Sequence, residues 1–243
     1  LDGAINFTAS HNPAEYGGLK FNPYWGGPAT KKITHDIEAR AAKVEVKAKR
    51  PVGMVGAVKS MGFREAEKKG FVTRIDPMQA YLKAISKIVN LKAIKKAKLK
   101  VVVDGLHGAG RGYADEVLRR AGAQVIAMNM NADPLFGCGS PEPAEGHIDA
   151  MVAMVQRSHS HLGMGTDGDA DRFGIVDSDG TFIPPNLVLA LLVQHLHKTR
   201  PHWKGAVLRS VVSSHFIDAV AKHYGREVVE VPVGFKWIGE YMP

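Results

Sequence analysis

Three aspartates alternate with glycine and alanine in the segment GTDGDADR at residues 165–172. In an extended or tightly curved loop, side chains at alternate positions share one side, so Asp167, Asp169 and Asp171 can converge. Converging carboxylates repel one another unless a cation neutralises them. Oxygen ligands favour magnesium, calcium or manganese over zinc. The segment therefore predicts a hard-cation site, and the alternative is an acidic surface turn.

The flanks of the acidic segment bear on both alternatives. A calcium-binding loop needs a glycine after the third acidic position and a distal glutamate, whereas Arg172 and Phe173 follow here. The apolar run FGIV at residues 173–176 favours a loop that adjoins a buried strand over a surface turn.

A second candidate is the segment TASHNP at residues 8–13, which follows a short strand predicted over residues 4–7. Ser10 lies between that strand and a proline turn, where it can stand exposed with backbone N–H groups aimed at an anion. An ordinary helix cap is the alternative. A serine hydrolase is disfavoured, because the neighbouring Ser10 and His11 point in different directions, no acidic partner is evident, and the Gly-x-Ser-x-Gly elbow is absent.

The elements that must position these loops follow an alternating pattern of strands and helices. A strand, a glycine-rich turn, a helix and a strand are predicted at 101–103, 105–112, 113–121 and 124–128, and a similar unit at 206–208, 213–224 and 227–231. This repetition predicts the α/β class, with repeated three-layer α/β/α domains and mixed, largely parallel sheets.

The remaining segments are less regular. A helix is predicted over 31–43, loop with short elements over 44–74, and a helix through Ile88 that begins with Asp76 as its N-cap and Pro77 at its first position. Turn signals at 177–185 indicate a domain boundary. A domain seldom begins one short strand before such a loop, so the first domain is predicted to be truncated.

Composition restricts the functional class. Hydrophobic residues make up 45% and charged residues 23%, as in an ordinary globular protein. The formal charge of +8 includes lysines at 92–100, which indicate a solvated helix end rather than a nucleic-acid site, since no aromatic residue is interleaved. With no long apolar run, no secretory signal and Cys138 as its sole cysteine, the protein is predicted to be cytoplasmic, without membrane or nucleic-acid partners.

Together the two motifs resemble those of the α-D-phosphohexomutase family, which includes phosphoglucomutases and phosphomannomutases. TASHNP is similar to the family's phosphoserine loop, GTDGDADR to its metal loop, and VGFKWI at 233–238 to a substrate-binding segment of its third domain. The resemblance implies that 1–75 is the C-terminal part of domain 1, 76–178 is domain 2 with the metal loop at its end, and 179–243 is the N-terminal part of domain 3.

The resemblance also implies a mechanism, a reversible 1-to-6 phosphoryl transfer on glucose or mannose phosphate through a bisphosphate intermediate. Ser10 would carry the phosphoryl group. Lys20 would stabilise charge and transfer a proton, and Arg172 would contact phosphate in bidentate fashion. His11, Asn12 and Lys236 would bind phosphate or substrate. One magnesium ion per active site would be held by Ser10, Asp167, Asp169 and Asp171.

Some features depart from the family pattern. Gly17 stands where the family usually has asparagine, and Val231 where it often has threonine. The family has four domains, and this chain ends before the third-domain sugar loop, so it is expected to have little or no mutase activity by itself. A non-catalytic metal- or sugar-phosphate-binding protein and a phosphoglucosamine mutase are the alternatives. A monomer or homodimer is expected.

Three further segments are predicted to be structural. The turn at 105–112 lacks the dinucleotide-binding glycine spacing and is interpreted as helix–strand packing. The segment SPEP at 140–143 is interpreted as a rigid surface loop. His107 and His215 are interpreted as structural histidines.

Overall fold

The computed structural model describes residues 2–47 and 61–241 of the chain. Within these residues three groups of elements follow one another: a β-hairpin with a helix, a five-stranded sheet with its helices, and a parallel strand pair with its helices. In chain order the elements are β1 (Gly3–Phe7), β2 (Leu19–Pro23), α1 (Lys31–Lys47), α2 (Phe63–Lys68), α3 (Met78–Ile88), α4 (Leu91–Ala97), β3 (Lys100–Asp104), α5 (Ala114–Arg120), β4 (Gln124–Met128), α6 (Asp149–Ser158), β5 (Leu162–Thr166), β6 (Phe173–Asp177), β7 (Phe182–Ile183), α7 (Pro185–Thr199), β8 (Val207–Ser210), α8 (His215–His223), β9 (Val228–Val231) and α9 (Phe235–Gly239).

The first group is an antiparallel hairpin, in which β1 pairs with β2 up to Phe7 and Leu19. Just beyond this pair, the Thr8 N–H donates to the Gly18 carbonyl oxygen over 3.0 Å. The loop that contains Ser10 therefore begins and ends at a fixed point of the hairpin.

The central sheet has the strand order β4-β3-β5-β6-β7. Strand β3 pairs in parallel with β4 and β5, whereas β5 pairs antiparallel with β6, and β6 with β7. Val102 of β3 packs with Met151 and Val155 of α6 on one face, and Val101 packs with Leu118 of α5 on the other. The run of valines is thus buried on both faces, as predicted, and the α/β class with mixed sheets is confirmed.

The third group pairs β8 and β9 in parallel. The side chain of Arg209 in β8 is 5% exposed, and its guanidinium donates to Asp218 in α8 and to Glu230 in β9. His215 Nδ1 lies 2.9 Å from the same Asp218 carboxylate. Because a buried guanidinium needs such partners, Arg209 ties the helix to both strands.

Most predicted elements are present with shifted ends. The α1 helix extends to Lys47, and α2 lies within the segment predicted as loop with short elements, while residues 48–60 of that segment lie outside the described residues. Helix α3 begins at Met78 with Pro77 at its N-cap, one residue later than predicted, although the Asp76 carboxylate still accepts from the Met78 N–H over 2.9 Å. Helix α7 was missed by the sequence reasoning, because its apolar residues do not form one clear stripe.

The parallel strands determine where the site forms. Strands β3, β4 and β5 run in the same direction, so the loops that follow them meet at one edge of the sheet. These loops comprise residues 105–113, 129–148 and 167–172. In the described part of the chain, no helix has both the length and the hydrophobicity needed to cross a bilayer.

Candidate functional site

The acidic loop, defined as residues 167–172, joins β5 to β6 directly after the paired residues Thr166 and Phe173. Asp167, Asp169 and Asp171 each offer a carboxylate oxygen, and these three atoms lie within 4.8 Å of one another. Asp167 is buried, Asp169 is half-buried and Asp171 is exposed. The convergence predicted from the alternating spacing is therefore present in the structure.

Asp167 is the most enclosed member of the cluster. Its Oδ1 accepts from the backbone N–H of Arg172 over 2.9 Å, while its Oδ2 is buried without a hydrogen-bond partner. Burial raises the pKa of Asp167, and the neighbouring Asp171 and Asp169 carboxylates raise it further. The hydrogen bond from the Arg172 N–H acts in the opposite direction and lowers this pKa, but it does not outweigh them.

Asp169 has partners on one oxygen only. Its Oδ2 accepts from the Thr8 hydroxyl over 2.8 Å and from Lys20 Nζ over 3.2 Å, and its Oδ1 is buried without a partner. Burial acts to raise the pKa of Asp169, but the hydrogen bonds from Thr8 and Lys20 outweigh it and hold the pKa below its usual value.

The cluster has the donor set that a divalent cation requires. A buried carboxylate oxygen without a partner costs free energy, and Asp167 and Asp169 each present one. The third residue, Asp171, is exposed, and it offers a carboxylate oxygen within 4.8 Å of an oxygen of each of the other two. Three convergent carboxylates with two unsatisfied oxygens fit a hard cation. Asp167, Asp169 and Asp171 can therefore hold a metal ion.

The loop that carries Ser10 lies against the acidic loop. Ser10 has a left-handed backbone with φ of 61°, and its N–H donates to the Thr8 hydroxyl over 2.8 Å. His11 Nδ1 lies 3.4 Å from Ser10 Oγ. The contact between the loops needs a glycine, because a Cβ on Gly168 would lie 2.5 Å from the Ser10 carbonyl oxygen.

The glycine-rich turn after β3 packs against the acidic loop. The Ala109 N–H donates to the Gly168 carbonyl oxygen over 2.9 Å. A Cβ on Gly108 would lie 2.8 Å from the Asp167 and Gly168 carbonyl oxygens, and one on Gly110 would lie 2.6 Å from Thr166 Oγ1. The interpretation of this turn as helix–strand packing was wrong, because its glycines allow close approach to the metal-ligand candidates.

The interpretation of SPEP at 140–143 as a surface loop was also wrong. Pro141 is fully buried, and its carbonyl oxygen accepts from the Gly168 N–H over 3.0 Å. Glu142 accepts from the guanidinium of Arg172 over 2.7 Å. The segment therefore holds the acidic loop through the Gly168 backbone, and it contributes the partner of Arg172.

A cleft of about 980 Å³ separates the hairpin from the beginning of α9. Lys20, Asp169 and Asp171 line this cleft, and Lys236 of the third group of elements lines it as well. Ser10 and Asn12 line an adjoining cavity that shares Thr8 and Asp169 with the cleft. Two cationic side chains thus face a cleft that the acidic loop also reaches, as an anionic ligand would require.

The structure brings most of the predicted site residues together. Ser10, His11, Lys20 and the aspartates lie in contact or share the two cavities, whereas the Arg172 guanidinium is directed to Glu142. The sequence reasoning missed Thr8, Gly168 and Glu142. The first two lie inside the segments already singled out, so their spacing was visible, but their contacts were not.

Three family models match the chain, and together they cover most of it. They describe alpha/beta/alpha domains I, II and III of phosphoglucomutase/phosphomannomutase, and they match residues 1–48, 79–180 and 184–243. These models describe successive domains of one class of protein, and the Ser10 loop and the acidic loop lie within the first and second of them. The chain belongs to the phosphoglucomutase/phosphomannomutase family.

Individual relatives agree with the family. A phosphoglucomutase from Komagataeibacter xylinus is 34% identical over 97% of this chain and 43% of its own length. A phosphoglucosamine mutase from Thermobifida fusca is 31% identical over 99% of this chain and 49% of its own length. The chain therefore spans about half the length of these relatives.

The fold agrees with a solved relative as well. The open form of pp63/parafusin, a phosphoglucomutase from Paramecium, superposes with a TM-score of 0.76 at 23% identity, over 98% of this chain and 46% of that protein. At this identity the likeness establishes the fold alone.

Proposed function

We propose that the protein is a phosphohexose mutase, which moves a phosphoryl group reversibly between the 1 and 6 positions of glucose or mannose phosphate by way of Ser10. One observation carries the proposal: the Ser10 loop contacts the acidic loop through Thr8 and Asp169, which lie 161 positions apart, beside two carboxylate oxygens without partners. A phosphoryl carrier and a cation site must adjoin in this way, because a cation neutralises the charge that moves between carrier and substrate.

Each residue has a distinct task in this proposal. Asp167, Asp169 and Asp171, with the Ser10 phosphate, would hold Mg²⁺, which when bound supplies charge neutralisation for the transferring phosphoryl group. Lys20, which is half-exposed and 3.2 Å from Asp169, extends into the cleft to stabilise phosphate charge and to move a proton. The positioning of these groups provides most of the rate enhancement in phosphoryl transfer.

The outer contacts are placed for substrate. His11 at 3.4 Å from Ser10 Oγ and Asn12 in the adjoining cavity bind the transferring phosphate, while Lys236, which lines the cleft, binds the sugar phosphate. Arg172 would exchange its contact with Glu142 for a bidentate contact to phosphate.

Other aspects of the proposal rest on the sequence. The domain division at 75 and 178, a cytoplasmic location and a monomer or homodimer are proposed with it. The relatives carry both phosphoglucomutase and phosphoglucosamine mutase names, so an amino-sugar phosphate is the second candidate substrate.

Intact-mass spectrometry tests the transfer step directly. The purified protein is incubated with Mg²⁺ and glucose 1,6-bisphosphate, and separately with the glucosamine analogue. We expect a gain of one phosphoryl group that peptide mapping places on Ser10, with the glucose compound as the faster donor. Subsequent addition of glucose 1-phosphate should remove it slowly, as a single half-reaction, because little or no repeated mutase turnover is expected of a chain that spans about half the length of its relatives.

Two controls sharpen this experiment. Ser10→Ala should gain no phosphoryl group, and if it gains one at the same rate, Ser10 is not the carrier. If the unmodified protein gains none from either donor while it still binds the bisphosphate, the non-catalytic binding protein is the better description.

A further inference from the structure

The hydroxyl group of Thr8 lies between the two loops of the site. It accepts from the Ser10 N–H over 2.8 Å and donates to Asp169 Oδ2 over 2.8 Å. Thr8 is neither a proposed ligand of the cation nor the proposed phosphoryl carrier. Its position nevertheless connects both groups through a single atom, Oγ1.

The direction of these two hydrogen bonds is determined by their partners. The Ser10 N–H can only donate and an ionised Asp169 carboxylate can only accept, so the single proton of the Thr8 hydroxyl must point to Asp169. Asp169 Oδ2 is thereby occupied, and Oδ1, which is buried without a partner, is the oxygen left for a cation. The hydroxyl therefore selects which Asp169 oxygen is available.

Thr8 is itself held firmly. Its backbone N–H donates to the Gly18 carbonyl oxygen over 3.0 Å at the end of the β1–β2 hairpin. A β-branched side chain has few χ1 choices, so the hydroxyl position follows from the backbone. The same hydroxyl accepts the N–H of Ser10, whose left-handed φ of 61° is a costly conformation for a residue with a side chain.

Lys20 shares the same Asp169 oxygen but is a poorer positioning group. Its Nζ lies 3.2 Å from Oδ2, and its side chain is 51% exposed. A long, exposed ammonium loses entropy when it is held in one geometry, and its charge repels a bound cation. The neutral, rigid Thr8 hydroxyl orients the carboxylate without that repulsion.

We propose that Thr8 is a positioning residue that sets the cation affinity of the acidic loop and, through the same hydroxyl, holds Ser10 in place beside it. This inference rests on the cation site of the proposed function. It predicts that the loss of one neutral hydroxyl group, with no change in net charge, weakens cation binding even when no sugar phosphate is present.

Manganese titration tests the inference without substrate. The affinity of the protein for Mn²⁺ is measured by calorimetry and by electron paramagnetic resonance for the wild type, Thr8→Val and Thr8→Ser. Valine keeps the shape and the β-branch but removes both hydrogen bonds, whereas serine keeps the hydroxyl. We expect Thr8→Val to bind about 10- to 100-fold more weakly, as for other outer-shell partners of metal ligands, and Thr8→Ser to bind within about threefold of the wild type.

Matched variants separate positioning from general damage. Thr199→Val removes the bond from another threonine hydroxyl to the His195 carbonyl oxygen, at the end of α7, and should leave Mn²⁺ affinity unchanged. Circular dichroism verifies that each variant is folded. If Thr8→Val does not fold, Thr8→Ser and Thr8→Ala decide the question, since serine must retain the affinity that alanine loses.

The outcomes that contradict the inference are distinct. A folded Thr8→Val with wild-type affinity overturns it, as does a Thr8→Ser that loses as much affinity as valine, because the hydroxyl is then irrelevant. If the wild type shows no saturable Mn²⁺ binding, the cation site of the proposed function fails, and this inference fails with it. If Asp169→Asn abolishes binding while Thr8→Val retains it, the cation site stands and only the role of Thr8 is refuted.

Discussion

The Ser10 loop comes so near to Gly168 that it leaves no room for a Cβ there, and Gly168→Ala tests whether that approach matters. The new Cβ would lie 2.5 Å from the Ser10 carbonyl oxygen, whereas ordinary contact begins at 3.4 Å. The loops would therefore have to separate by about 0.9 Å at this point. The atoms that would clash are the new Cβ and the backbone carbonyl oxygen of Ser10, and both belong to hydrogen-bonded loops. No flexible side chain can therefore move aside to make room.

The consequences of this separation can be estimated. If the shift reaches the bond between the Thr8 hydroxyl and Asp169, its length of 2.8 Å rises beyond the roughly 3.0 Å that a good O–H···O hydrogen bond allows. Misplacement of a reacting group by about 1 Å costs roughly 100-fold in rate. We therefore expect Ser10 to gain a phosphoryl group about 100-fold more slowly in Gly168→Ala, and overpacking to lower the free energy of unfolding by about 1–3 kcal/mol.

The assay follows Ser10 phosphorylation by intact mass over time and unfolding by urea titration. The matched control is Gly17→Ala, because Gly17 lies in the neighbouring loop and an added Cβ there meets nothing within 4 Å. This control should keep the wild-type stability and rate. If Gly168→Ala phosphorylates Ser10 at the wild-type rate and unfolds at the same urea concentration, the contact between the loops is not the one that the structure shows, and the coupling argument fails.

Three other substitutions, at Asp167, Lys20 and Asp218, should change stability or cation affinity in ways that can be measured separately. Because burial raises the pKa of Asp167, its ionised form destabilises the cation-free fold, so Asp167→Asn should raise the free energy of unfolding at neutral pH by about 1 kcal/mol, and should lose the stabilisation that Mg²⁺ gives the wild type. Lys20→Met should bind Mn²⁺ more tightly, by about 1.4- to fivefold, since an exposed ion pair contributes about 0.2–1 kcal/mol, while it slows phosphorylation of Ser10; an unchanged affinity would show that Lys20 does not compete for Asp169. Since Arg209 and His215 hold the pKa of Asp218 below the ordinary 3.8, its contribution to stability is present above that pH and is lost as the pH falls below it. Urea midpoints measured through the acid range should therefore decline less steeply in Asp218→Asn, and parallel curves would contradict this.

The fold was predictable where sequence pattern and burial agree. The valines at 101–103 formed a strand buried on both faces, and the repeated strand–helix–strand units gave the α/β class. Helix α7 was not predictable, because its leucines lie on several faces, and Leu187, Leu191 and Leu192 remain exposed. Periodicity indicates a helix only when one face is buried.

The candidate site was predictable in its ligands but not in its supports. The spacing of Asp167, Asp169 and Asp171 was enough to predict convergence, since it depends on local backbone geometry. The pairing of Glu142 with Arg172 was not, because it joins loops that follow different strands. Contacts of that kind depend on strand order, which the sequence pattern leaves open.

The distinction between ligand and support also explains why the glycine-rich turn was misinterpreted. Its glycines were compared with a nucleotide-binding pattern, in which glycine permits approach to a phosphate. In this fold Gly108 permits approach to the Asp167 and Gly168 carbonyl oxygens instead. The physical requirement is the same, a backbone that comes too close for a Cβ, but the neighbour is protein. A glycine turn after a buried strand therefore indicates close approach at the sheet edge, and only the loop that lies opposite decides whether the turn binds a ligand or supports the residues that do.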